Sequence, residues 1–333
     1  MRSNKRRRVD MTNQLDLFTS EPESPAANPT GLAAAILSPQ PTPAAKALPP
    51  RLRLVRTTAH EIADKIDVAW NGQHLGNDIT VPMGVIAALA LLGQTAMDGR
   101  DTARHVLSLG EADLIAFYKE IWGHTWMMDP YLASCTYPLW EWLLAEQVPP
   151  KVVTAVHVLT RTAITAGLLT LTGDADPIWR CEQDVLGALL TTLRSRGKRD
   201  ALAEFHTPPE LANLIARMAM LELPEPGACF DDPAAGTGGL IRAAALTLRL
   251  QGRNPREYGW SMGDIDPLAA ACCAVNAIVW SLGPSVLVFC GDTLATGNGP
   301  DRAAAHRRQA WKQHRELVRD ITAVNKLKLL GAA

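Results

Sequence analysis

"FDDPAAGTGGLI", residues Phe230–Ile241, decides how this chain is read. An apolar run closes on Asp231 and Asp232, turns through Gly236, Gly238 and Gly239, and opens into a helical pattern. Open parallel sheets bind their ligands at such strand ends, in the first turn after a strand. Glycine there lets the backbone approach a ligand and adopt positive φ. The stretch is not a nicotinamide fingerprint, because Ile241 stands where the last glycine belongs. It is not a phosphate loop either, because Gly-Lys-Ser/Thr is absent. Taken alone, it is equally the tight turn of an ordinary strand–helix unit.

Working outward, "ACFDD", "YGWSMGDID" and "VLVFCGD" read as strands, and 209–222, 238–251 and 267–281 as helices. That alternation predicts an α/β fold with a parallel sheet and helices on both faces. Each strand closes on an acid. Asp264 ends the second strand of the unit, the usual place for a carboxylate that bonds ribose hydroxyls. Asp292 ends the third, where it could accept from an adenine amino group or simply cap the next turn of chain. Upstream, "EFHTPPEL" predicts a helix with Thr207 as N-cap, Pro208 at N1 and Glu210 completing a capping box. Its N-terminus could face a ligand carboxylate.

The order of these motifs resembles the adenine-N6 DNA methyltransferases, and among them the modification subunits of type I restriction systems. The likeness rests on "FHTPPELANLIARM", "DDPAAGTGGLI", "GDIDP" with "NAIVWSLG", and "CGDTL", over roughly residues 180–295. It implies a Rossmann-like methyltransferase sheet and S-adenosyl-L-methionine as cofactor. By the resemblance, Phe205, Thr207 and Pro208 shape the methionine side, and Asp232, Pro233, Ala234, Gly236 and Gly238 line the central loop. Asp264 would hold the ribose, Ile265 would pack on the adenine, and Asp292 would read its amino group. Two positions depart from the family pattern: Ala235 replaces a common Cys, and Asp264 is one methylene shorter than the usual Glu.

The family's catalytic run is Asn/Asp/Ser-Pro-Pro-aromatic. Its polar groups accept the hydrogens of the target amine while the ring stacks on the flipped base. No such run comes after "CGDTL". The Pro-Pro pairs at Pro49, Pro149 and Pro208 are preceded by Leu48, Val148 and Thr207 and have no aromatic after them. The nearest relic is Asp129-Pro130-Tyr131, one proline short. No catalytic residue is therefore assigned. The expectation is a cofactor-binding half, silent or completed by a partner that supplies catalysis or target recognition. The alternative is a non-catalytic cofactor-binding or replication accessory protein.

Four segments are expected: a disordered tail over 1–52, a helical domain over 53–200, the methyltransferase-like domain over 201–298 and an amphipathic helix over 299–333. The tail carries Lys5–Arg8 and a proline-punctuated run that cannot bury enough apolar surface to order itself. Within it, "QLDLF" (Gln14, Leu15, Leu17 and Phe18) resembles the pentapeptide by which bacterial proteins bind the replication sliding clamp. In the helical domain, Ser108 with Glu111 predicts a capping box, and "VPMGVIAALALLGQ" and "PPKVVTAVHVLTRTAITAGLL" predict buried helices. Arg302, Arg307, Arg308, Lys312, Arg315 and Arg319 mark the last helix as polar and basic.

The formal net charge is −1, so DNA contact would need a local patch or a partner. The six cysteines show no metal-ligand spacing and fit a reducing compartment. No apolar run is long enough for a membrane span, and the basic start lacks the apolar stretch of a secretory signal. A cytoplasmic protein without a metal is expected.

Overall fold

The computed structural model describes residues 57–76, 78–92, 99–194 and 207–331. The expectations for the 1–52 tail, for Gln14, Leu15, Leu17 and Phe18, and for Phe205 lie outside these residues.

The first part of the chain is helical: α1 (Ala59–Asn71), α2 (Thr80–Leu92), α3 (Gly99–Ser108), α4 (Glu111–Met128), α5 (Pro130–Cys135), α6 (Tyr137–Trp140), α7 (Pro150–Thr165), α8 (Leu168–Thr172), α9 (Pro177–Arg180) and α10 (Val185–Leu193). Then come α11 (Pro209–Ala219), β1 (Cys229–Asp232), α12 (Gly239–Leu250), β2 (Gly259–Asp264), α13 (Pro267–Val279), β3 (Val286–Cys290), α14 (Thr293–Thr296) and α15 (Gly299–Gly331). The three strands expected from the sequence are all present, each followed by a helix. They form one parallel sheet in the order β1-β2-β3, with Phe230 opposite Trp260 and Met262 opposite Val288.

Both crossovers step the same way across the sheet, so α12 and α13 share a face, as right-handed connections require. Trp260, Met262, Val286 and Val288 point to that face and join a core that continues through the helices of the first part. Phe230 stacks on Trp260 with ring centroids 4.8 Å apart, a pairing worth about 0.5–1.5 kcal/mol beyond its buried area. The alternate residues Leu287 and Phe289 face the other way and pack with Ala303 and Ala304 of α15. Helices thus lie on both faces, as the alternating pattern predicts.

Helix α2 is apolar on every side and buried from Val81 to Leu92, which suits the centre of a helical layer. The Arg180 guanidinium joins that layer to the end of α13: its Nε donates to the Val279 carbonyl at 2.7 Å, and another arm reaches the Asp174 carbonyl at 2.7 Å. Burial pulls its pKa down to about 10.

Several local expectations are corrected. Ser108 does not cap α4. It closes α3, its Oγ donating to the His105 carbonyl at 2.6 Å, and Gly110 is the N-cap of α4 without a side-chain bond. The long pattern after Pro149 is two helices, because Gly167 takes φ 94° and breaks it. Thr207 is not the N-cap of α11 and Pro208 is not N1; Pro208 is the N-cap, with φ −54° and ψ 142°, and Pro209 is N1. The physical reason is the second proline: a residue before proline is driven out of the helical region, so the helix starts one residue later and the capping box through Glu210 does not form.

No helix among the described residues is long and apolar enough to cross a membrane.

Candidate functional site

The turn that leaves β1 is held at nearly every peptide. The Ala235 amide donates to the Gly263 carbonyl at 2.8 Å, and the Gly238 amide to the Ala235 carbonyl at 2.8 Å. The Pro233 carbonyl accepts from Thr293 Oγ1 at 2.9 Å, the Gly236 carbonyl from the Cys273 thiol at 3.1 Å, and the Thr237 carbonyl from Asn276 Nδ2 at 2.9 Å. Gly236 and Gly238 have φ of 57° and 95°, in the left-handed region. A Cβ at Gly238 would come within 3.1 Å of the Trp280 ring, whereas one at Gly236 would meet nothing within 4 Å. Gly238 is therefore required by packing, and Gly236 by conformation beside open space.

A carboxylate closes the turn from the neighbouring strand. Asp264 Oδ2 accepts from the Gly236 amide at 2.7 Å, and Oδ1 from the Asp266 amide at 2.9 Å. Asp232 ends β1 half-buried, its Oδ1 accepting from the Ala234 amide at 3.2 Å. Burial raises the Asp232 pKa, and the negative charges of Asp231 and Asp264 raise it further. Asp292 is the N-cap of α14, its Oδ1 accepting from the Leu294 and Ala295 amides at 3.0 and 2.9 Å. Three carboxylates thus stand at the carboxyl ends of three successive parallel strands. Pro233, Ala234, Ile265 and Leu294 are exposed around them, and so are Thr207 and Pro208 at the start of α11.

Three residues that the sequence did not single out hold this arrangement. Asp184 caps α10 by accepting from the Gly187 amide at 2.8 Å. The same carboxylate accepts from Thr237 Oγ1 at 2.5 Å and from Asn276 Nδ2 at 3.0 Å. The glycine turn is thereby fastened to α10 and α13 at once. The capping role of Asp184 could have been read from its place before an apolar run. Its two long-range partners carry no local signal.

The donor set is acidic, with no basic side chain among the residues assigned to the site, so a phosphate is disfavoured there. It suits a ligand that carries positive charge, hydroxyls and an amino group beside an apolar surface. Asp129-Pro130-Tyr131, the nearest approach to a catalytic run, is used structurally: Asp129 caps α5, and Tyr131 is buried with its hydroxyl on Val288 of β3.

No curated protein matches the chain. Residues 183–306 match the family model described as N-6 DNA methylase. The match takes in Asp184, the glycine turn and all three strand-end acids, and in this segment the chain resembles the adenine-N6 DNA methyltransferases.

Proposed function

We propose that the chain is the cofactor-binding half of an adenine-N6 DNA methyltransferase, with a Rossmann-like sheet that holds S-adenosyl-L-methionine. The observation that carries this is the Asp264 carboxylate closing on the Gly236 amide at 2.7 Å, between Asp232 and Asp292, in a segment that matches an N-6 DNA methylase model. A sulfonium cation with an ammonium group and ribose hydroxyls fits an acid-lined turn whose own backbone is already tied down. When bound, the cofactor would supply an electrophilic methyl group. The chain's residues would orient it: Asp264 at the ribose, Ile265 against the adenine, Asp292 at the adenine amine, and Asp232 with the glycine turn near the methionine part. Phe205, Thr207 and Pro208 complete the proposed set.

The expected result in calorimetry is binding of S-adenosyl-L-methionine that Asp264→Ala abolishes while the circular dichroism spectrum is kept. A folded wild-type chain that shows no binding heat would overturn the reading. Because no Asn/Asp/Ser-Pro-Pro-aromatic run occurs in these residues, labelled-methyl transfer to mixed-sequence DNA is expected only when a segment carrying such a run is added.

A second role, in replication, is favoured by Gln14-Leu15-Asp16-Leu17-Phe18 alone. It predicts co-elution with a sliding clamp that is lost on Leu17→Ala with Phe18→Ala; unchanged co-elution would end it.

A further inference from the structure

We infer that the exposed cationic stripe of Arg308, Lys312, Arg315 and Arg319 on α15 is a docking surface for the phosphate backbone of duplex DNA, held without regard to base sequence. The inference does not depend on the cofactor reading. Its residues lie beyond the segment that matches the family model, which ends at 306.

The course of α15 sets where the stripe stands. Its first turn lies on the carboxyl end of β3, where the Arg302 guanidinium is 5.2 Å from the centre of the Phe289 ring. Ala303 and Ala304 then pack with Leu287 and Phe289. Arg307 Nη2 donates to the carbonyl of Pro284, which precedes β3, at 2.9 Å. The helix therefore runs back along β3 and carries the stripe away from the strand-end acids. At a rise of about 1.5 Å per residue, Arg308 to Arg319 spans roughly 16 Å.

Two stripes of equal spacing divide the helix. Ala303, Arg307, Ala310 and His314, at i, i+4, i+7 and i+11, are buried. Arg308, Lys312, Arg315 and Arg319 have the same spacing, shifted by five residues, and are exposed. Five residues turn a helix by about 140°, so the cations face away from the protein.

The fold itself has no use for such a stripe. Like charges at i, i+4 destabilise a helix. The stripe sits in mid-helix, not in the last turn, where cations offset the dipole. Among the described residues, Arg319 alone of the four has an acidic partner, Asp320 at 3.3 Å, in a pair exposed on both sides. Residues 299–331 hold eight Lys or Arg against three Asp or Glu, in a chain of formal net charge −1. A local cationic excess along one helix face is the electrostatic footprint of nucleic-acid binding.

Chemistry selects the partner. Three of the four cations are guanidinium groups, whose planar forks match phosphate oxygens. A lipid surface would need a free apolar face beside the cations, and from Ala303 to His314 that face is packed on the protein. The adjoining segment matches a DNA methylase model. The acids around its glycine turn repel phosphate, so a grip on DNA needs a cationic surface elsewhere.

The test uses the full chain and a fluorescein-labelled mixed-sequence duplex of about 20 base pairs, titrated between about 50 and 200 mM salt. Arg308→Gln with Arg315→Gln should lower the slope of log affinity against log salt by about 1.8, and weaken binding roughly sixtyfold near 100 mM salt. Arg308→Lys with Arg315→Lys should keep the slope, because it keeps the charge. Lys65→Gln with Lys151→Gln makes the same change of net charge at exposed positions of the helical part, and should leave the slope as it is. No binding of the duplex, an unchanged slope in the α15 Gln pair, or an equal fall in both Gln pairs would each overturn the proposal. So would tighter binding of a poly-glutamate peptide or of phosphatidylserine vesicles than of the duplex. S-adenosyl-L-methionine binding is measured on the same sample. DNA binding through α15 without cofactor binding defeats the reading of the turn alone; cofactor binding with DNA affinity indifferent to the α15 variants defeats this surface alone.

Discussion

The sheet has two outer strands, and they are finished in different ways. β3 is apolar, "VLVFC", and at its middle residue, Val288, one side chain takes up both outward backbone groups. Tyr131 donates its hydroxyl to the Val288 carbonyl at 3.0 Å and accepts from the Val288 amide at 2.7 Å. β1 is shorter and more polar, "CFDD", and among the described residues nothing pairs with its outer side. The strand with the greater tendency to recruit a neighbour is the one the chain has capped, and the strand beside the candidate site is the one left open. An open edge adjoining the glycine turn and an exposed apolar helix differs from an edge protected against chance pairing.

The largest way to break this contrast is at the capped edge. Tyr131→Ala should cost about 3–5 kcal/mol, as deletion of a buried aromatic does. Tyr131→Phe should cost about 1–3 kcal/mol, because it leaves the Val288 amide and carbonyl buried without a partner. Urea midpoints measure both, and a Phe variant as stable as wild type would show that the cap contributes nothing.

A smaller effect is expected at the end of β1. The Asp232 pKa is raised in the folded chain above its ordinary value of 3.8, first by burial. Below the unfolded value both states carry the proton, and the folded chain bears no penalty. As pH rises through the folded value, the folded chain must ionise a carboxyl that its surroundings hold protonated, and stability is lost. Asp232→Asn should therefore be more stable than wild type near neutral pH, with the difference shrinking towards about pH 3. Urea titrations at several pH values decide it, and a difference that grows on acidification would reverse the assignment.

The smallest effect should be on α11. Leu214→Lys with Met218→Lys is expected to leave stability within about 0.5 kcal/mol of wild type, since the two side chains are 53 and 63 % exposed. A loss of several kcal/mol would mean that they are already covered, and the contrast between the two edges would fail.

Much of the sheet was legible in the sequence. Each strand is an apolar run ending on an acid, each is followed by a helical pattern, and the turn is marked by glycines. These are local signals, set by side-chain periodicity and by the φ that only glycine tolerates cheaply. The misplaced caps at Ser108 and Thr207 failed where two local rules compete. At 207–209 the restriction that Pro209 places on Pro208 wins over the preference of Thr for an N-cap. The clamp of Asp184, Thr237 and Asn276 was not legible, because its members lie 53 and 92 residues from Asp184 and only the cap of α10 has a local signature.

The sequence by itself determined the order of the strands' motifs, the acids at their ends, the glycine turn and the lack of an Asn/Asp/Ser-Pro-Pro-aromatic run. All of these are properties of short segments and their spacing. Only the tertiary structure decided that Tyr131 bonds the outward backbone of Val288 at one edge of the sheet, that among the described residues β1 has no partner at the other edge, and that α11 buries its small residues and shows its large ones. Those outcomes depend on which surfaces meet, and a helix or strand carries no local record of the neighbour it will pack against.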